Sequence, residues 1–453
     1  MKLTFGGAAG TVTGSRHLFQ EGTRAWLLDC GLFHGYKQLR LRNRLPLPIG
    51  PRRIGAVVLS HAHLDHSGYL PALVRDGFRG PIYASAATRD LCEILLKDSA
   101  HLQEEEARFA NKHGFSRHQP AEPLYTVDDA MRALGLFREL PFGQPVELGE
   151  GVSATLEPAG HLLGAATVRL SRGKRSLLYS GDLGRPHDSI LRAPTRIEAS
   201  DTLIVESTYG DRRHSPDDGE AVLASLIREA AAAGGSVLIP SFAVGRAQTV
   251  MLALSRLKAR GEIPDLPVFL DSPMAIDATS LYRKFRTLHR LTVAECRAMC
   301  GVARLINTPE QSKELANLRM PAVIIAASGM ATGGRVLHHL KTMAPDPRNR
   351  ILFVGHQAGG TRGAHLVEGA TEVKIHGEWY PVRAQVRQID VWSAHADADE
   401  ILAWLKAARG APERVYLVHG EPNAADVLRQ RIEEQLGWPV EVPEHLQSVQ
   451  IDL

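Results

Sequence analysis

Apolar stretches separated by glycine turns run through the first 60 residues, and 2–5, 15–20, 25–28 and the strongly apolar 54–59 each read as a short strand. Residues 87–112 carry a helical composition instead, with Glu104, Glu105 and Glu106 as a solvated face. Strand patterns return at 152–156, 166–170 and 176–179, giving a β-rich half with polar residues at its strand ends. From about residue 200 the rhythm changes. Apolar strands at 202–205, 236–239, 268–270, 322–326 and 351–354 each lead through a loop into a helical stretch, which predicts a mostly parallel sheet covered by helices. A last strand at 414–418 and a helix at 424–436 close the chain. No internal repeat or low-complexity linker interrupts this order. The expected division into 1–200, 201–380 and 381–453 therefore rests on the change of pattern.

Composition narrows the class. A chain of 453 residues suffices for two or three domains, and 44% hydrophobic with 23% charged residues excludes disordered, collagen-like and coiled-coil proteins. The 53 basic and 50 acidic residues leave a net charge of +3, so whole-molecule charge does not identify a nucleic-acid binder and any basic surface has to be local. Cys30, Cys92, Cys296 and Cys300 are too few for a disulfide framework, and the helically spaced Cys296 and Cys300 lack a second pair for a zinc site. The N-terminal sequence has no uninterrupted apolar signal segment, and no run of 18 apolar residues occurs. This predicts a cytoplasmic protein with no membrane partner.

Directly after the run 54–59 comes Ser60-His61-Ala62-His63-Leu64-Asp65-His66. Three imidazoles and a carboxylate within six residues are hard to bury or solvate together unless a divalent cation compensates them. Alternate spacing sets His61 and His63 on one side of an extended segment, whereas a helical metal pair needs four-residue spacing. Asp65 and His66 follow where the chain turns towards a helix, positioned to face a second ion. His161, between two strands, and Asp182, just after 176–179, share this strand-end setting beside glycines that let backbone approach a site. Taken alone, His161 reads as a loop histidine and Asp182 as a turn former. Beside the first cluster both become candidate ligands.

The ordered set Asp29, His61-x-His63-x-Asp65-His66, His161 and Asp182 resembles the metallo-β-lactamase fold, an α/β architecture of four αββα layers with metals at one edge. The resemblance implies one metal held by His61, His63 and His161, a second held by Asp65, His66 and a later histidine, Asp182 bridging both, and Asp29 orienting ligands from behind. A long α/β insertion after Asp182 resembles the β-CASP subgroup of nucleases, whose three further motifs appear in order. These are Glu206 in Val205-Glu206-Ser207-Thr208-Tyr209-Gly210, His395 in Trp392-Ser393-Ala394-His395-Ala396-Asp397, and His419 in Leu417-Val418-His419-Gly420-Glu421. In the RNA-acting branch the third motif is a histidine and in the DNA-acting branch typically a valine, so His419 favours RNA and would complete the second ligand set. The likeness is closest to the branch containing the endonuclease subunit of eukaryotic pre-messenger RNA 3′-end processing and its short prokaryotic relatives. The chain runs 34 residues past His419 (453 − 419), without the long C-terminal domain of ribonuclease J. It also starts almost at once with the catalytic fold, which argues against an inherited sequence specificity and against a 5′-exonuclease.

The resemblance thus implies a hydrolase with two zinc ions per chain, manganese being the alternative metal, and no organic cofactor, acting endonucleolytically on single-stranded RNA. Asp65, Glu206 and His395 are its expected catalytic residues. A hydroxide shared by the metals would attack phosphorus, His395 would protonate the leaving oxygen, and Glu206 would orient His395. The alternatives are an RNA exonuclease or DNA nuclease of the same fold, then a small-molecule metallo-hydrolase or a non-catalytic RNA-processing scaffold. Three glycine-rich turns supply candidate substrate contacts: Ser328 and Gly329 in the turn 328–335, with Arg246, Arg335 and Arg362 as candidate phosphate-binding cations. His17, His101, His113, His338, His339, His356 and His376 fall outside the ordered motifs and read as structural or surface residues. Oligomeric state is left open, a homodimer being one option.

Overall fold

Alternating burial along the β-rich half has a direct structural outcome, two mixed sheets packed face to face. The computed structural model describes residues 1–114, 118–215, 218–318, 320–355, 357 and 359–453; His356 and Ala358 lie outside the described residues. The chain divides into two compact units, Met1–Arg213 with His395–Leu453, and His214–Ala394.

In the first unit, one seven-stranded sheet runs in the order Ser448–Gln450, Lys2–Phe5, His17–Glu21, Arg24–Leu28, Ile54–Val58, Ile82–Ala84, Phe137–Glu139. The other runs Val440–Glu441, Arg414–Val418, Thr202–Glu206, Arg175–Tyr179, Ala166–Arg172, Val152–Pro158, Val146–Gly149. Leu3, Phe19 and Trp26 of the first sheet and Leu156, Val168 and Leu177 of the second share one core. Each such fully buried side chain contributes about 1.5–3 kcal/mol. The Trp26 indole nitrogen donates to the Leu148 carbonyl at 2.8 Å, so its burial strands no polar atom. The opposite face of the second sheet packs Leu178, Leu203 and Val205 against Ile401 and Leu405 of the helix Ala398–Lys406 and Ile432 of the helix Pro422–Leu436.

The second unit carries six parallel strands in the order Arg304–Leu305, Val268–Asp271, Val323–Ala326, Val237–Pro240, Arg350–Val354, Gln385–Ile389. Its strand-loop-helix alternation is the one expected. The boundaries fall later than residues 200 and 380, because pairing overrides local pattern. Strand Thr202–Glu206 lies in parallel register between Arg175–Tyr179 and Arg414–Val418 and belongs to the first unit, while Gln385–Ile389 pairs with Arg350–Val354 in the second. No helix among the described residues is long and apolar enough to cross a membrane.

Candidate metal centre

Carboxyl ends of neighbouring strands build the centre. Arg24–Leu28 runs parallel to Ile54–Val58 and delivers Asp29 beside the segment Ser60 to His66. In the facing sheet Arg175–Tyr179, Thr202–Glu206 and Arg414–Val418 run parallel and deliver Asp182, Glu206 and His419. The hairpin pairing of Pro158 with Ala166 and of Val168 with Tyr179 brings the His161 loop to the same edge.

His61 Nε2 lies 3.1 Å from His63 Nδ1, and His161 Nε2 lies 3.2 Å from that same nitrogen. Asp182 Oδ2 stands 3.4 Å from His61 Nε2 and 3.5 Å from His161 Nε2. A tetrahedral cation bonded at ~2.0–2.1 Å spaces its ligand atoms by about 3.3–3.4 Å, so the donor set has the dimensions of a zinc site. Burial first, and the His66 charge next, hold His61 well below the ordinary imidazole range, and burial lowers His63 as well. Neutral imidazole is the metal-binding form.

A second group gathers on the other oxygen of Asp182. His66 Nε2 lies 3.3 Å and His419 Nδ1 3.5 Å from Asp182 Oδ1, and Asp65 Oδ2 stands 3.3 Å from His419 Nε2. Asp182 Oδ1 is nevertheless buried with no hydrogen-bond partner among the described residues. A buried, unsatisfied carboxylate oxygen is costly unless a cation compensates it, which fits a second metal here. Burial would raise the Asp182 carboxyl, yet His419, His66 and His61 hold it well below its usual range. His66 moves the other way: burial pulls it down, and Asp182 and Asp29 outweigh burial to raise it well above an ordinary histidine.

Asp29 organises this arrangement from behind. Its Oδ2 accepts from His66 Nδ1 at 2.7 Å, Ser60 Oγ at 2.7 Å and Tyr179 Oη at 2.8 Å, and its Oδ1 accepts from the Ser60 amide at 2.7 Å. Ser60 Oγ in turn stands 3.0 Å from His61 Nδ1, so donation there leaves Nε2 of His61 directed at the centre. Asp29 and His419 both adopt left-handed backbone, φ 56° and 50°, which bends each chain at its strand end. Close approach also explains Gly31, where a Cβ would lie 1.6 Å from the Asp65 carbonyl oxygen. Thr208 Oγ1 lies 3.1 Å from His419 Nδ1 and donates to the His419 carbonyl at 3.1 Å. Ser60, Tyr179 and Thr208 were not anticipated. Each flanks a motif or ends a strand feeding one, which is the signal that would have found them. His17 packs its ring against Tyr179 at 5.1 Å, and burial pushes its pKa down to about 3.

Glu206 and His395 meet at the rim. His395 Nδ1 is 3.2 Å from Glu206 Oε2 and 4.0 Å from Asp182 Oδ2, with His395 21% exposed and Glu206 fully buried. The Leu183 amide donates to Glu206 Oε1 at 2.5 Å. Burial lowers the His395 pKa, but the Glu206 carboxylate, then Asp182 and Asp65, outweigh it and raise it from 6.5 to about 9.

The remaining candidates, Ser328, Gly329, Arg246, Arg335 and Arg362, belong to the second unit. The guanidiniums of two of them are engaged within the fold. Arg335 donates to Asp271 Oδ1 at 2.7 Å and to the Ile306 and Asn307 carbonyls, and Arg362 donates to the Lys374, Ala331 and Thr332 carbonyls. Their guanidiniums brace the fold. Ser328 Oγ likewise accepts from the Thr332 and Gly333 amides inside its own turn. His339 is structural as expected, donating to buried Asp271 Oδ2 at 2.6 Å beside Ser312 Oγ, also at 2.6 Å.

Three family models match along the chain. These are the metallo-beta-lactamase superfamily over residues 14–225, the Beta-Casp domain over 247–366 and the Zn-dependent metallo-hydrolase RNA specificity domain over 379–443. Ribonuclease TTHA0252 of Thermus thermophilus is 40% identical over 93% of each chain. Transcription termination factor FttA of Pyrococcus abyssi is 33% identical over 88% of this chain, which spans 62% of that longer protein. A solved structure of a protein of unknown function from Enterococcus faecalis V583 covers 99% of both chains with a TM-score of 0.54 at 15% identity, a likeness of fold alone. Motif order, donor geometry and full-length similarity agree: the chain belongs to the β-CASP group of the metallo-β-lactamase superfamily.

Proposed function

We propose that this protein is a two-zinc ribonuclease of the cytoplasm that hydrolyses phosphodiester bonds within single-stranded RNA. The observation that carries the reading is a complete double donor set with the Glu206–His395 pair at its rim, in a chain 40% identical to a ribonuclease. His61, His63, His161 and Asp182 Oδ2 would hold one ion, and Asp65, His66, His419 and Asp182 Oδ1 the other. When bound, such ions supply Lewis-acid activation of water and compensate charge growing on the phosphoryl oxygens. Glu206 fixes His395 through Nδ1 and favours its protonated form, leaving the Nε2 proton for the departing oxygen. Asp29 and Ser60 hold the imidazoles in the tautomers that keep their lone pairs inward.

Zinc-supplemented cleavage of internally labelled, 5′-capped single-stranded RNA tests this, with the same sequence as DNA and the His63→Ala variant alongside. Internal RNA fragments absent from the variant are expected. Intact RNA at full metal occupancy would overturn the endonucleolytic reading.

A further inference from the structure

Between Asp29 and Asp65 the chain contains no acidic residue, and within that interval Lys37, Arg40, Arg42 and Arg44 fall inside eight positions. None of the four forms an ion pair among the described residues. Several exposed arginines elsewhere in this protein are matched: Arg175 reaches Asp201, Glu413 and Asp452, Arg260 reaches Glu220 and Glu262, and Arg429 reaches Asp426 and Glu433. Clustered like charges within a Debye length of about 10 Å at 0.1 M salt repel one another and favour an anionic partner.

The segment is rigidly seated. Asn43 accepts from the Phe33 amide at 2.9 Å and from Arg16 Nη2 at 3.0 Å, and donates to the Phe33 carbonyl at 2.8 Å. Arg42 lies over the Phe33 ring at 5.5 Å, and Arg44 donates to the Glu122 carbonyl at 2.8 Å. Lys37 and Arg40 on the helix Lys37–Arg42 are left exposed, next to Tyr36, which is 68% exposed. The strip starts at the metal centre. Cys30 donates to the His66 carbonyl at 2.7 Å and Leu32 to the Leu64 carbonyl at 2.8 Å, and His34 lies within electrostatic reach of both Asp65 and Arg40.

We propose that residues 34–44 form a second contact surface for the RNA strand, with Lys37 and Arg40 gripping phosphates away from the scissile bond and Tyr36 stacking on a base. The surface gives a locally basic track to a chain whose net charge is near zero, and it suits a single strand, whose bases are open to stacking. It rests on the ribonuclease reading above.

The test compares the Lys37→Gln/Arg40→Gln double variant with its parent. Anisotropy of a labelled single-stranded RNA, measured in a His63→Ala background across a salt series, should show the slope of log affinity against log salt shrinking by about 1.4, about 0.7 per phosphate contact. In the active background, kcat/KM on long RNA should fall about tenfold while turnover of bis(p-nitrophenyl) phosphate is unchanged, and the charge-keeping Lys37→Arg/Arg40→Lys pair should restore the RNA value. An unchanged slope and unchanged RNA kinetics would overturn the strip and leave the ribonuclease reading standing. Equal losses on RNA and on the small diester would show a disturbed centre and overturn it too. A parent that turns over the small diester but neither binds nor cleaves RNA would overturn both.

Discussion

His395 and Asp29 both touch the chemistry through hydrogen bonds, but at opposite ends of the donor set, and their substitutions separate two kinds of loss. On the proposed mechanism, removing the His395 imidazole takes away a proton donor and no metal ligand. Replacement by alanine should therefore cut RNA turnover by about 10²–10⁴-fold while zinc content, read by atomic absorption, stays at the parental level. Asp29→Ala removes the acceptor shared by His66, Ser60 and Tyr179. It should weaken metal affinity by about 10–100-fold in chelator competition, with turnover recovering at high zinc. Loss of zinc from the His395 variant would instead make that residue part of the metal's support. The clustering of the seven candidate donors was legible in the sequence, because that many His and Asp side chains in fixed order leave few other uses for so much buried polarity. Ser60, Tyr179 and Thr208 were not, since a hydroxyl's role depends on which neighbour the fold brings within 3 Å.

At the level of elements, most central strands were visible, while Ile82–Ala84, Phe137–Glu139, Val146–Gly149 and Gln385–Ile389 were not, and neither were the strand partners. Thr202–Glu206 opens a run of strand-loop-helix repeats, and only its register against Arg414–Val418 assigns it to the first unit. Such pairing spans over two hundred residues and leaves no local mark. The hairpin Glu372–Ile375 with Glu378–Pro381 was likewise unforeseen, since burial alternates over only four residues of its first strand and its second is almost wholly exposed. The parallel sheet of the second unit has its own buried charge, Asp271, at the end of Val268–Asp271. Burial raises this carboxyl, but hydrogen bonds from His339, Ser312 and Arg335 outweigh burial and hold it below the ordinary range. The folded pKa is thus lower than the unfolded one near 3.9, so the stabilisation is complete above about pH 4 and is lost as pH falls through the folded value. Asp271→Ala should cost about 3–5 kcal/mol in neutral denaturant unfolding, because His339 and Arg335 would keep their burial and lose their partner. A neutral-pH curve matching the parent's would remove Asp271 from the supports of this unit.

For the whole molecule, the candidate metal centre would double as a clasp when loaded. Its donors come from both sheets of the first unit and from both of that unit's chain segments, His61 to Asp182 before the second unit and His419 after it. Ions bound to the folded state alone add stability by mass action, about 4 kcal/mol at a free concentration a thousand times Kd. Prolonged chelation should therefore lower the melting temperature of the first unit as well as abolish turnover, with both restored by zinc. Activity lost without any shift in melting would mean that the packed sheets alone fix the donors.

The discontinuity of the first unit also sets a timetable for a chain made from its N-terminus. Until residues 414–418 have left the ribosome, strand Thr202–Glu206 has an open edge; until His419 has followed them, the second donor group is incomplete. The N-terminal half must wait through the synthesis of the whole second unit with that edge unpaired, the kind of exposure that invites association with other chains. The same delay matters for an enzyme that cuts RNA: its full donor set comes into being only after the whole second unit has been made.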